Sequence, residues 1–216
     1  MQEKKLLEED GLEVLRLEVG SFGNNVYLVR DFREKDCVLI DAAAEEGELL
    51  NAIGKDRLTA VLLTHAHMDH IQALEGVRKK SGAPVGIHPH EPSFAKLHPE
   101  ISLFDGQRIA IGRRELEVLH TPGHTLGSVS FLLRPKFCFC GDTVFPGGPG
   151  KTWSPEDFQI LLQSLERKIY TLPSELILLP GHGTEITVGN SREEYEGFRS
   201  RTRAKTLFGD VLWQPS

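Results

Sequence analysis

Thr64-His65-Ala66-His67-Met68-Asp69-His70 follows directly on the apolar run Leu58-Thr59-Ala60-Val61-Leu62-Leu63. Three imidazoles and one carboxylate thus occupy the six positions 65–70. On an extended segment side chains alternate faces, so His65 and His67 point to one side. Asp69 and His70 come at a predicted helix start, where the chain turns and aims them elsewhere. One loop therefore feeds two neighbouring metal positions, His65 and His67 at the first, Asp69 and His70 at the second. Imidazole and carboxylate suit divalent zinc, iron or manganese. A lone loop histidine is ordinarily solvated or satisfied in a core. Four such donors beside a buried strand, without a cation, leave uncompensated polarity near the core.

Length and composition frame this cluster. The chain has 216 residues, 39% hydrophobic and 26% charged, which is ordinary for a globular protein. They predict one domain over residues 1–216, with residues 1–10 polar and flexible. The formal net charge of -6 disfavours a nucleic-acid backbone as partner. No apolar run approaches the ~20 residues of a membrane span, and Met1-Gln2-Glu3-Lys4-Lys5 lacks the apolar region of a signal peptide. Cys37, Cys138 and Cys140 have no disulfide-framework spacing. Together these predict a soluble protein of a reducing, cytoplasmic compartment that acts on a small molecule, not on nucleic acid or a membrane.

Periodicity supplies the scaffold. Residues 12–19 alternate as a half-exposed strand, 26–29 and 37–40 read as two more, and 45–53 reads as a short helix stopped by Gly54. The uninterrupted apolar character of 58–63 predicts a strand buried on both faces. A helix follows, with Ile71, Leu74 and Val77 inward. Strands are predicted at 84–87, 107–111, 116–119, 128–133, 137–140 and 176–179. Ser154-Pro155-Glu156-Asp157 opens the clearest helix, with serine as cap and proline in its first turn. Ser191-Arg192-Glu193-Glu194 has the spacing of a capping box and predicts a last helix. Residues 207–213 are apolar enough to pack on the body or on a second subunit of a homo-oligomer. Strands in two groups with helices between and after them predict two packed sheets flanked by helices.

Three later segments each place a ligand type at a strand end or a glycine turn. They are Thr121-Pro122-Gly123-His124-Thr125, Cys140-Gly141-Asp142-Thr143 and Pro180-Gly181-His182-Gly183. With His-x-His-x-Asp-His at 65–70, the set resembles the metallo-β-lactamase superfamily. The Thr-Pro-Gly-His-Thr and Gly-Asp-Thr-Val-Phe wording is most similar to its glyoxalase II-like branch, the hydroxyacylglutathione hydrolases. The resemblance covers residues 12 to about 200.

That resemblance implies an α+β fold, a four-layer αββα sandwich of two mixed sheets with the site at one edge. It implies that His65, His67 and His124 bind one divalent metal, that Asp69, His70 and His182 bind a second, and that Asp142 bridges them. Zinc is the first expectation, iron or manganese the next. Asp69 and Asp142 are the implied catalytic carboxylates, Asp69 also orienting the attacking hydroxide. The implied substrate is a thiol conjugate, a thioester of the S-acylglutathione type. The same motifs serve an alternative, a persulfide dioxygenase with one iron on His65, His124 and Asp142, and more remotely lactone or phosphodiester hydrolysis. Only a short tail follows His182, where a full glyoxalase II carries a helical extension. Gly147-Gly148-Pro149-Gly150-Lys151 replaces a Gly-Arg-type loop. Both departures bear on glutathione recognition more than on hydrolysis.

Other residues take plainer readings. Lys151 reads as an exposed lysine ahead of a carboxylate binder. Phe22, Asn24 and Asn25 line the pocket mouth by resemblance, or serve the turn alone. Cys138 and Cys140 read as core. His88, His90, His98 and His120 read as structural or exposed, and Arg199, Arg201, Arg203 and Lys205 as a solvated face.

Overall fold

The structure is a computed structural model that describes residues 1–201 and 206–214. Arg203 and Lys205 lie outside the described residues. One sheet has seven strands in sequence order: β1 (Gln2–Glu9), β2 (Leu12–Val19), β3 (Asn24–Asp31), β4 (Asp36–Ile40), β5 (Arg57–Leu62), β6 (Val85–Ile87) and β7 (Ile101–Ser102). Pairing is antiparallel from β1 to β4 and parallel from β4 to β7. The second sheet contains β8 (Arg108–Ile111), β9 (Arg114–His120), β10 (Val129–Leu133) and β11 (Phe137–Gly141). A small ribbon, β12 (Val144–Phe145) with β13 (Gly148–Pro149), follows. Then β14 (Ile177–Pro180) and β15 (Ile186–Thr187) complete the second sheet in the order β15-β14-β11-β10-β9-β8.

The two sheets face each other across one apolar layer. Val14, Tyr27, Val29, Val38 and Leu62 of the first sheet meet Leu116, Val118, Phe131, Phe137 and Phe139 of the second. Helices α1 (Glu46–Ile53), α2 (Met68–Ile71), α3 (Leu74–Ser81) and α4 (Phe94–Leu97) follow β4, β5 and β6. Leu49, Ile53, Leu74 and Val77 seal the outer face of the first sheet. Helix α5 (Pro155–Ser164), its π-helical continuation Leu165–Ile169, and α6 (Val188–Arg199) cover the second. The result is the four-layer αββα sandwich that the motifs imply. The period of two is plain in β11: Phe137 and Phe139 enter the layer between the sheets, while Cys138 and Cys140 pack under α5 and α6.

Three expectations are corrected. Residues 2–9 are not loose but form the edge strand β1 on β2. Its lysines and glutamates are exposed, a composition that protects a sheet edge and hides the strand from a periodicity reading. The last helix begins at Val188, not near Ser191. Thr187 caps it, its Oγ1 accepting the Asn190 N–H at 3.2 Å, and Ser191 is buried against the Tyr170 hydroxyl. The helix after the histidine cluster is two short pieces, α2 and α3. Ser154 does cap α5, its Oγ accepting the Asp157 N–H at 3.1 Å, worth about 1 kcal/mol.

Topology gathers the site. β9 and β11 are both antiparallel to β10, and β14 is parallel to β11, so all three run the same way. Their C-terminal ends release His124, Asp142 and His182 at one edge. The sheets are tied together there: the Val129 N–H donates to the Thr64 carbonyl at 2.9 Å, and the Asn25 N–H to the Gly181 carbonyl at 2.7 Å.

Candidate metal centre

After β5 the backbone is extended at His67, and Asp69 and His70 follow in the short helix α2, the His70 ring 4.2 Å from that of His65. The inward nitrogens of His65 (Nε2), His67 (Nδ1) and His124 (Nε2) lie 3.1, 2.9 and 3.3 Å apart. Beside this trio, His182 Nε2 is 3.2 Å from Asp69 Oδ2, and His70 Nε2 is 3.8 Å from the same oxygen. Asp142 lies between: its Oδ1 is 3.3 Å from His70 Nε2, and its Oδ2 is 3.7 Å from His124 Nε2 and 3.8 Å from His182 Nε2. All seven residues singled out in the sequence are brought together, from positions more than a hundred residues apart.

The outer nitrogens fix the tautomers. His124 Nδ1 is 2.8 Å from the Lys151 carbonyl, and His182 Nδ1 is 3.3 Å from that of Phe22. A carbonyl only accepts, so in both rings the outer nitrogen carries the proton and the inner one a bare lone pair. Asp41 does the same for His70: its Oδ2 takes the Nδ1 proton at 2.9 Å. Asp41 also accepts the Thr64 N–H and hydroxyl, both at 2.8 Å, so the Thr64 oxygen is left to accept from His65 Nδ1 at 3.1 Å. Four lone pairs are thus aimed inward by acceptors behind them, the arrangement that orients metal-binding histidines.

Two atoms at the centre are left without a partner. His70 Nε2 and Asp142 Oδ1 are sealed from solvent and accept or donate no hydrogen bond. An orphaned buried nitrogen and carboxylate oxygen facing one another fit a cation between them. Crowding is enforced by glycine. A Cβ on Gly181 would stand 2.4 Å from Asp142 Oδ1 and 2.6 Å from His70 Cε1, and one on Gly150 would stand 1.7 Å from the Asp142 carbonyl oxygen.

Electrostatics agree. Burial, reinforced by neighbouring imidazoles, pushes His65 and His67 below the ordinary histidine range; burial also pushes His124 down, against the pull of Asp142. These rings are neutral and ready to donate at pH 7. For His70 burial also opposes charge, but Asp41 and Asp142 outweigh it and push that ring well up. Burial likewise opposes the Asp142 charge, yet His70, His65 and His124 hold its carboxyl far below the carboxylate range. In the metal-free protein a proton on His70 sits where the surrounding carboxylates favour a positive charge.

Several supporting residues had little or no sequence signal. Asp41 reads there only as a strand end; its position in space, and its left-handed backbone (φ 62°), make it the anchor of the His65–His70 loop. Asn24 and Asn25 do more than turn the chain. The Asn24 side-chain amide donates to Asp69 Oδ2 at 3.0 Å, and that of Asn25 to the Pro180 and Gly183 carbonyls. Trp153 carries no motif signal; its ring meets the His67 ring edge-on at 6.4 Å and is 60% exposed. Lys151 holds its ammonium over that indole at 5.1 Å and pairs with Asp210 at 3.2 Å. Phe22 and Met68, each 70% exposed, flank His182 and Asp69.

An αββα sandwich with a His/Asp-lined edge is the architecture of a metal-dependent hydrolase family. Residues 19–182 match the model of that family, the metallo-beta-lactamase superfamily, and the chain belongs to it. Its similarities lie in the glyoxalase II-like branch. The chain is 34% identical to "Probable metallo-hydrolase YqgX" of Bacillus subtilis (strain 168), over 83% of this chain and 94% of that one. It is 29% identical to hydroxyacylglutathione hydrolase GloC of Haemophilus influenzae, over 85% and 97%. Among solved structures, TTHA1623 in a di-iron-bound form superposes with a TM-score of 0.69 at 30% identity, over 82% of this chain and 96% of that one. Among the described residues no helix is long and apolar enough to cross a membrane.

Proposed function

We propose that this chain is a dinuclear metallohydrolase that cleaves thioesters of the S-acylglutathione kind. His65, His67 and His124 would hold one ion and Asp69, His70 and His182 the other, with Asp142 available to both. The observation that carries this reading is the Asp142 carboxylate, one oxygen toward His70 and the other toward His124 and His182. Divalent ions held by these donors supply a hydroxide at neutral pH and Lewis acidity toward a thioester carbonyl.

The remaining work falls to the side chains. Burial raises the Asp69 carboxyl, but the Asn24 amide and His70 outweigh it and keep it ionised. Asp69 is also partly open to solvent, so its oxygens can accept a hydrogen bond from an entering water and orient it. Asp41, Thr64 and the Lys151 and Phe22 carbonyls keep the four inward lone pairs in register through the reaction. Phe22, Met68 and Trp153 give an acyl or thiol chain an apolar surface at the mouth. The similarity to a hydroxyacylglutathione hydrolase supports the thioester class.

Elemental analysis of the purified protein, paired with two assays, tests the reading. Two metal equivalents and hydrolysis of S-lactoylglutathione or a related acyl thioester are expected. One iron per chain with thiol-dependent oxygen uptake on a persulfide, and no thioester cleavage, would replace it with the dioxygenase.

A further inference from the structure

Three histidines outside this centre also come together. His88 and His90 belong to the His88-Pro89-His90 turn after β6, and His120 ends β9. One nitrogen of each ring lies within 4.8 Å of one from each of the other two. The His88 and His120 rings stack with centroids 3.9 Å apart and planes 9° from parallel. The His90 ring stands across His88 at 5.0 Å. By sequence these histidines are structural or exposed; tertiary pairing makes them a group.

Their hydrogen bonds leave donor capacity over. His120 Nε2 is 3.0 Å from the Leu126 carbonyl, so it carries the proton and Nδ1 presents a bare lone pair. His90 is exposed, and among the described residues its ring makes no hydrogen bond. His88 is buried, and its Nδ1 accepts the His90 backbone N–H at 3.1 Å. Burial, and then the neighbouring His120 and His90, push the His88 ring down to about 4, so no proton has to leave it at neutral pH.

We propose that His88, His90 and His120 form a second, separate site for a divalent first-row ion that prefers imidazole, with solvent completing its coordination. Three imidazole nitrogens suit zinc or copper(II) rather than magnesium or calcium. In a tetrahedral zinc site nitrogens sit roughly 3.3 Å apart, given Zn–N bonds of about 2.0–2.1 Å. One nitrogen of each ring already lies within 4.8 Å of the others, about 1.5 Å at most from that spacing. Parallel rings cannot aim two lone pairs at one point, so the stack opens as the ion enters. His90 and His120 lie nearer solvent and have room to turn, while His88 exchanges its backbone hydrogen bond for the ion.

Such an ion would tie the turn at 88–91 to the strand that leads into His124. The two regions already touch: the Thr125 hydroxyl donates to Glu91 Oε2 at 2.7 Å. Zinc in this site should raise the melting temperature of protein whose main centre is already filled.

The test counts ions. Metal-stripped protein is dialysed to equilibrium against micromolar zinc, beside His90→Gln and His120→Gln variants, and the zinc per chain is measured. The wild type should hold one equivalent more than either variant, with the main centre's complement kept in all three. Copper(II) added to wild type that holds zinc in its main centre alone should give a nitrogen-ligated paramagnetic resonance spectrum that both variants lack. His90 is exposed, so its substitution leaves the fold intact, which circular dichroism checks. Equal zinc counts in the three proteins, or the same copper spectrum from all of them, would overturn the proposal and leave a plain stack of histidines.

Discussion

His70 Nε2 and Asp142 Oδ1 lie 3.3 Å apart, both sealed from solvent and neither hydrogen-bonded. A buried polar atom without a partner costs about 1–3 kcal/mol, and more when charged. Two such atoms facing each other at the meeting point of four loops mark a place built for a positive ion.

Asp142→Asn keeps the shape and removes the charge. Metal content should fall below one equivalent. Thioester hydrolysis should drop by more than the roughly 10–100-fold typical of losing an outer-shell partner. Elemental analysis and steady-state rates check this, with the circular dichroism spectrum unchanged.

Asp41 touches no proposed ion position, yet it holds His70 and Thr64. Asn tolerates its left-handed backbone, so Asp41→Asn should fold. Chelator competition should show metal affinity weakened by about 10–100-fold.

Gly181→Ala forces a methyl group to within 2.4 Å of Asp142 Oδ1. Two donors are pushed apart with no change in charge. Metal retention should fall by about tenfold or more, as for a lost outer-shell contact. Wild-type retention in the same chelator titration would show that the crowding has no functional role.

Trp153→Ala removes the exposed indole beside His67 and leaves every proposed donor in place. Metal content should not change. For acyl thioesters with a large apolar chain, kcat/KM should fall about tenfold, roughly 1.4 kcal/mol of lost binding. For a short acyl chain it should barely move.

The metal-free protein should lose stability as the pH falls from about 6.5 to about 4. His65, His67, His88 and His124 lie below the ordinary 6.5 in the folded chain, His88 at about 4. In that window the unfolded chain binds protons that the folded chain refuses, so acid favours unfolding. His70 is shifted the other way, and its contribution fades only as the pH rises through its raised value, above this window. Urea midpoints at pH 6.5, 5.5 and 4.5 measure the slope.

The sequence by itself pointed to the sandwich and to the seven His and Asp side chains that the fold gathers. Strand periodicity and the glycine turns around His124, Asp142 and His182 are local signals, and the helix start after His67 turns Asp69 away from the extended segment without any distant contact. What it could not set depends on which strands lie side by side. Edge strand β1 carries exposed Lys and Glu at both ends, with only Leu6 and Leu7 between them, and takes its place from β2. Asp41 becomes an anchor only because β4 and β5 are parallel neighbours. Trp153 reaches His67, and His120 stacks on His88, across gaps of more than thirty residues that no spacing rule spans. Hydrogen-bond partners and exposed rims are properties of packed surfaces, and those exist only once the two sheets have closed on each other.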